Sequence, residues 1–426
     1  MNLKINFKKL FKDDLIKHTI IVFAGSILAG VFNLAYHLVS VRLLTPQDYG
    51  TFNALISFVM FTSMAVSPLG TTLTRFFTEY IAKKDFAKIV FVFNKLIKRL
   101  FIAACLTAAL FFIVSPFLAG FLKTKTLYIF ICGGATVIGL FSPPLISVFQ
   151  SFQKFAVYSF IGIIASLGKL ILGGILMFLG WRVLGSLSGF LAGAILPIIA
   201  ALCFIKGVFK KEIGHIDEKA YIPINLTPIF KYFFPVSVVM FSFTAITTVD
   251  VVLVKHFFSP LQAGYYSIAQ MVGKIALFLP SALAIVLLPK STKAHVTNGS
   301  STKLLYKSLF LAGICGFLWT VFAFIFPDFL LNVLTGKLNP ISSRLVGLFS
   351  LTMSFYALCW IVINYLLATH NLKFVLPLLV ITILETAAIY NCHSSFIMIL
   401  YILLISSIVS LFCSLFVVKH SESKRN

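Results

Sequence analysis

Val41-Arg42-Leu43-Leu44-Thr45-Pro46-Gln47-Asp48-Tyr49-Gly50 and Val254-Lys255-His256-Phe257-Phe258-Ser259-Pro260-Leu261-Gln262-Ala263-Gly264 carry the same punctuation. In each, an apolar run reaches a cation, and a Pro is followed four residues later by a Gly. Pro46 and Gly50 align with Pro260 and Gly264 at an offset of 214, about half of the 426 residues. Arg42 then matches Lys255, and Arg75 falls close to Lys290. Pro116-Phe117-Leu118 resembles Pro327-Asp328-Phe329-Leu330 in the same way. Matched position, offset and flanking cation together argue against chance likeness of two turns, so the chain reads as an internal repeat.

What surrounds the two turns sets the solvent. Hydrophobic residues make up 60% of the chain and charged residues 11%, with a mean hydropathy of +1.03. Soluble domains carry about 25% charged residues, so a soluble enzyme is excluded and a bilayer is the fitting solvent. Twelve apolar runs are long enough to span: 19–44, 52–73, 100–122, 127–149, 156–179, 183–205, 232–257, 265–288, 309–331, 345–367, 374–390 and 396–418. The expected fold is therefore all-α and polytopic. Six spans per half is an even number, so the halves enter the membrane in the same sense. They are parallel repeats, two six-helix bundles with a central cavity.

The parts are a cytoplasmic amphipathic segment at 1–18, a first lobe at 19–205, a basic inter-lobe linker at 206–231, a second lobe at 232–418 and a tail at 419–426. Met1 to His18 is basic, and the apolar run after it has full membrane length, so it reads as a surface helix and not as a signal peptide. With the N-terminus inside, 26 Lys and Arg fall on the inner side and 7 on the outer; Lys169 and Lys274, within spans, complete the 35. The net charge of +23 is therefore a positive-inside bias and not a nucleic-acid signal. Both termini are expected in the cytoplasm. The 7 cysteines include no C-x-x-C pair and read as small buried hydrophobes.

Charges inside spans need a reason, because a cation at the bilayer centre costs about 2.5–3.5 kcal/mol. Lys169 and Lys274 lie mid-span, either facing a cavity that receives an anionic headgroup or bridging to Asp250 or Glu385. Tyr266, Gln270 and Lys274 recur every four residues and share a helix face; they are expected to line the cavity. Asn33, His37 and Ser40 form a similar stripe, which Asn53 and Ser57 extend. Arg42, Lys255 and Arg75 are either cavity cations or interfacial anchors. Asp250, with Thr247 and Thr244 on roughly its face, either binds Na⁺, takes up a proton or pairs with an intramembrane Lys. Gly133-Gly134 and Gly173-Gly174 read as close-packing positions, and Pro143-Pro144 and Pro280 as breaks within spans. No nucleophile–His–acid set, phosphate loop or metal cluster is visible.

The same residues carry a family resemblance. Gly25-Ser26 to Gly30 opens span 1, Arg42 to Gly50 forms the turn, and Arg75-Phe76-Phe77-Thr78-Glu79-Tyr80 closes span 2. Asp250, Val254 to Phe257, Ala263 to Tyr266, Lys274, Phe278-Leu279-Pro280 and Leu288-Pro289-Lys290 follow. The whole chain resembles the polysaccharide biosynthesis (O-antigen, Wzx-type) lipid-linked oligosaccharide flippases of the multidrug/oligosaccharidyl-lipid/polysaccharide exporter superfamily. The resemblance implies a non-enzyme that moves undecaprenyl-diphosphate-linked oligosaccharides across the bacterial inner membrane by alternating access. With no nucleotide site in the sequence, energy is expected from an ion gradient, the membrane potential or downstream consumption of the substrate, and no cofactor is expected beyond a coupling ion, H⁺ or Na⁺. Its partners are the lipid-linked substrate, membrane lipids and other polysaccharide-assembly membrane proteins, with no nucleic acid. The alternatives are a cation-coupled multidrug exporter of the same superfamily and a membrane glycosyltransferase or polymerase. The last is disfavoured by the short loops.

The charge asymmetry is tested by cysteine labelling. Lys211→Cys should stay unlabelled by an impermeant reagent added to intact cells, while Lys125→Cys should react. Labelling of Lys211→Cys from outside would refute the topology.

Overall fold

A computed structural model describes residues 14–64, 66–212, 227–278, 301–369 and 371–423, and among them every regular element is a helix. A spanning chain must satisfy each backbone polar group internally, which a helix does within one segment. In order they are α1 (Asp14–Leu43), α2 (Pro46–Ser63), α3 (Pro68–Ala82), α4 (Phe86–Phe121), α5 (Thr126–Gly139), α6 (Ser142–Ser151), α7 (Phe155–Leu176) and α8 (Arg182–Glu212). Then come α9 (Thr227–Phe257), α10 (Pro260–Gly273), α11 (Ser301–Ile325), α12 (Pro327–Thr335), α13 (Pro340–Ala368), α14 (Val375–Asn391) and α15 (Phe396–Ser423).

The burial pattern is that of a protein in lipid. Phe112, Phe178, Phe310 and Phe416 stand at 70–80% exposed, while Asp250, Gln270 and Glu385 are buried. Water would penalise so apolar a surface. Nine helical stretches among the described residues are long and apolar enough to cross a membrane. One, Phe155–Phe209, has 55 residues, about 80 Å of helix against a core of about 30 Å. It is two antiparallel passes. Gly173 meets Gly189, and Lys169 meets Gly193. The chain turns at a π-helical segment, Met177–Trp181, where Gly180 has φ +87°. The shorter apolar helix α14 and the eighth run, which begins in α10, complete a fit to the twelve expected runs. The described part of that run ends at Phe278; 279–288, with Pro280, lie outside the described residues, as does Lys290.

Some boundaries differ from the sequence expectation. The third run was expected at 100–122, but α4 begins at Phe86. Charged Lys88, Lys95, Lys98 and Arg99 end an apolar run without ending a helix. The added turns bury Ile89 and Val92 against Leu73, Phe77, Phe149 and Ile205. The linker expected at 206–231 is entered by α8 as far as Glu212 and left by α9 from Thr227; 213–226 lie outside the described residues, as do 1–13 of the N-terminal segment. Helix α15 runs past 418 to Ser423. Pro143-Pro144 do break their span, at the start of α6. Cys132 and Cys359 are buried, but Cys105, Cys203, Cys315 and Cys392 are exposed. A thiol suits a lipid-facing surface as well as a core.

Over the described residues the chain forms two compact units. The first is Met1–Leu43, Val66–Ala119 and Lys125–Phe233; the second is Leu44–Ala65, Gly120–Thr124 and Phe234–Asn426. This partition departs from the halves 19–205 and 232–418 at α2, which packs with helices of the second half. The repeated turn explains why. Thr45 caps α2 by accepting from the Asp48 amide at 3.2 Å, and Ser259 caps α10 by accepting from the Gln262 amide at 3.3 Å. Pro46 and Pro260 occupy the first turns, where a missing N–H is harmless. Gly50 and Gly264 then face each other. A Cβ on Gly50 would lie 2.7 Å from the Gly264 Cα, and one on Gly264 would collide with the Pro46 carbonyl oxygen.

Two alanine substitutions separate this contact from helix propensity. Gly313 of α11 has open space around it, so Gly313→Ala should leave stability unchanged or raise it by ~0.5–1 kcal/mol. Gly264→Ala should lower it by about 1–3 kcal/mol through overpacking. Thermal unfolding in detergent reads both, and equal shifts would contradict the close approach.

Candidate functional site

In the second unit, a buried carboxylate is met by neutral donors. Asp250 is fully buried on α9. Tyr266 and Gln270 sit one turn apart on α10, so both reach it. The Tyr266 hydroxyl donates to Oδ2 at 2.9 Å, and Gln270 Nε2 lies 3.1 and 3.0 Å from the two oxygens. Asn53 of α2 donates to Gln270 Oε1 at 3.2 Å, so the donors run Asn53 to Gln270 to Asp250. Each polarises the next toward the carboxylate. Lys274, one further turn along, interacts with Asp250 electrostatically but forms no ion pair among the described residues. Thr247 donates to carbonyls of its own helix, those of Phe243 at 2.9 Å and Thr244 at 3.1 Å.

A second buried acid stands nearby in the same unit. Glu385 of α14 accepts from the Tyr356 hydroxyl of α13 at 2.7 Å. Tyr356 packs edge-on against Phe243 of α9, at 6.4 Å and 87°. The sequence marks Glu385 as an acid in an apolar run. Tyr356 lies 29 residues earlier in a run of ordinary apolar composition, and nothing local announces it.

The first unit gathers Asn33, His37 and Lys169. Asn33 of α1 donates to Ser166 of α7 at 2.9 Å and to the Ala29 carbonyl at 3.0 Å. Lys169 lies one turn beyond Ser166. Its ammonium stands 5.1 Å from the Tyr36 ring centre and 5.4 Å from that of Phe190. The Tyr36 hydroxyl is anchored on the Ser186 carbonyl, and His37 meets the Tyr36 ring edge-on at 5.7 Å. Lys169 forms no ion pair among the described residues. Each cation–π contact contributes about 0.5–2 kcal/mol, which offsets much of the ~2.5–3.5 kcal/mol insertion cost while leaving the ammonium donors free. Arg42 and Arg75 are exposed, whereas Lys255, the repeat equivalent of Arg42, is buried and donates to Thr51 at 2.8 Å.

Helices of this length, with an apolar exterior and buried ionisable groups, define a multi-pass membrane protein. The sequence matches the family model "Polysaccharide biosynthesis protein" over residues 15–295, so the chain belongs to that family. Among curated proteins there is no match. Among solved structures, the chain is similar to an inward-facing multidrug-resistance MATE family transporter of the MOP superfamily. The identity is 12%, with 93% of this chain and 96% of that one covered at a TM-score of 0.73. It is similar to the lipid II flippase MurJ in an inward closed conformation, at 16% identity, 94% and 87% coverage and a TM-score of 0.71. A Vibrio cholerae MATE transporter, VcmN in the bent form, matches at 15% identity, 95% and 96% coverage and a TM-score of 0.61. These likenesses establish the fold.

The donor arrangement around Asp250 predicts non-additive substitutions. Tyr266→Phe and Gln270→Leu should each destabilise the protein by about 0.6–1.7 kcal/mol, the range of interhelical hydrogen bonds in membranes. In an Asp250→Leu background both effects should largely vanish. Unchanged effects in that background, measured by thermal unfolding, would show that the donors serve something other than Asp250.

Proposed function

We propose that the protein is a flippase that carries undecaprenyl-diphosphate-linked oligosaccharide repeat units across the bacterial inner membrane for surface polysaccharide assembly. It works by alternating access and carries out no chemistry on the substrate. The observation that carries this reading is Lys169, a mid-span cation held over two aromatic rings without an acidic partner among the described residues. A carrier of organic cations gains nothing from such a group, whereas a diphosphate headgroup is bound by it through charge-assisted hydrogen bonds. Family membership and a fold shared with a lipid flippase support the same reading. Lys274, Arg42, Lys255 and Arg75 are further headgroup contacts in this proposal.

Both termini lie in the cytoplasm in the proposed orientation. Asp250 is the coupling acid, taking a proton or Na⁺, and Thr247 serves it through its oxygen lone pairs. The membrane lipids and other assembly proteins are its surroundings. The fold shared with MATE transporters supports a rival reading as a cation-coupled multidrug exporter. Reconstitution separates the two. Proteoliposomes should flip a fluorescent polyprenyl-diphosphate oligosaccharide and leave a lipophilic organic cation untouched. Lys169→Gln should reduce flipping by roughly tenfold or more, the effect of losing one charged hydrogen bond of ~1.5–3 kcal/mol, and Lys169→Arg should restore much of it. Gradient-driven export of the organic cation without lipid flipping would overturn the proposal.

A further inference from the structure

A cavity of about 270 Å³ lies where α11, α12 and α13 meet in the second unit, lined by Ala323, Phe324, Pro327, Ser343, Arg344 and Gly347. None of these residues belongs to the groups around Asp250 or Glu385. The sequence explains why space is left here. Helix α11 stops at Ile325, Phe326 is non-helical (φ −125°, ψ 50°), and Pro327 starts α12. Across from this break, α13 carries a glycine. A Cβ on Gly347 would lie 2.5 Å from the Phe324 ring, so a side chain there would press the ring into the space. Ser343 and Arg344 lie within one turn of Gly347 and share its helix face.

Two opposite charges mark the rim of the cavity. Arg344 is exposed, and its neighbour Ser343 donates to Oδ1 of Asp328, which is also exposed. Neither charge forms an ion pair among the described residues. An interfacial anchor needs only headgroups and water for its charge. Arg344 instead stands on a cavity wall, with a carboxylate held beside it that it does not take as a partner. The ninth expected run ends at 331 and the tenth begins at 345, so the cavity lies at the depth where acyl chains give way to headgroups. Its volume is below the ~300–1,000 Å³ of sites that enclose a whole drug-sized ligand. That suits the first part of a chain whose remainder stays in the bilayer.

We propose that this cavity binds a phospholipid whose zwitterionic headgroup carries a phosphate and a primary ammonium. The phosphate meets Arg344, the ammonium meets Asp328, and the start of an acyl chain lies on Ala323, Phe324 and Gly347. The guanidinium presents a planar fork that matches two phosphate oxygens. Ser343 occupies one oxygen of Asp328 and leaves the other for an N–H donor. A quaternary ammonium has no N–H to offer, and an uncharged glycerol headgroup brings no cation to the carboxylate. The site therefore distinguishes lipids by their headgroup nitrogen. It lies in the outer leaflet in the proposed orientation, and it does not rest on the flippase reading.

The test supplies the full-length protein, purified in detergent, with equal amounts of phosphatidylethanolamine, phosphatidylcholine and phosphatidylglycerol of identical chains. Native mass spectrometry reads the lipid retained. Phosphatidylethanolamine should be held roughly tenfold more tightly than the other two, the effect of one hydrogen bond to a charged group. Asp328→Asn should bring it down to their level. Arg344→Gln should lower retention of all three roughly tenfold, and Arg344→Lys should keep part of it. Both positions are exposed, so these variants are expected to fold. Arg182→Gln, which removes an exposed cation of the first unit, should change nothing. Equal retention of the three lipids, strongest retention of phosphatidylglycerol, or a preference that survives Asp328→Asn overturns the proposal. So does a loss with Arg182→Gln as large as that with Arg344→Gln.

Discussion

A carboxylate buried among helices has no water to solvate it, and the arrangement of the second unit follows from answering Asp250. Its answer is Tyr266 and Gln270, from one face of the next helix. To bring that face onto α9, α10 must leave the membrane surface at a fixed angle, and the capped Ser259-Pro260 turn sets that angle. Gln270 in turn needs an acceptor's partner for its own carbonyl oxygen, and Asn53 supplies it. Asn53 reaches only because Gly50 and Gly264 let α2 and α10 approach without side chains between them. One electrostatic demand thus links a charged residue, two helix starts and a pair of glycines.

The first unit solves the opposite problem. Lys169 is a cation, and neutral aromatic faces hold it where a carboxylate would have ended its availability. A ring quadrupole attracts the ammonium without consuming its hydrogen-bond donors. The two units therefore treat buried charge differently. Asp250 is fully engaged by fixed donors, so a change in its charge is felt through a hydrogen-bonded chain that reaches α2. Lys169 is positioned but left with donors to offer, as an anion-binding group requires.

Much of this was legible in the sequence, and the reasons are specific. Composition and run length showed a polytopic helical protein because a bilayer demands both. The Pro-x-x-x-Gly pair exposed the repeat because helix starts and close approaches leave few residue choices. Tyr266, Gln270 and Asn53 stand out as polar residues in apolar runs, but the convergence of Tyr266 and Gln270 on Asp250, with Asn53 behind Gln270, does not. A stripe has a face, and the sequence does not say what opposes it. Thr247 suited Asp250 by helical spacing, yet its hydroxyl proton goes to its own backbone, the usual local competitor. The early start of α4 was missed because apolar windows stop at lysines while helices do not. Tyr356 was missed because its partner is distant in sequence and its neighbours are plain core.

The central claim is that Lys169 meets the diphosphate of a lipid carrier. The most direct measurement is the structure of the protein in nanodiscs with a bound polyprenyl-diphosphate oligosaccharide, determined by electron cryomicroscopy. The account predicts phosphate oxygens within hydrogen-bond distance of Lys169 Nζ, with the ammonium still over the Tyr36 and Phe190 rings. A bound headgroup with no phosphate oxygen near Lys169, and an acidic side chain paired with Lys169 in its place, would contradict it.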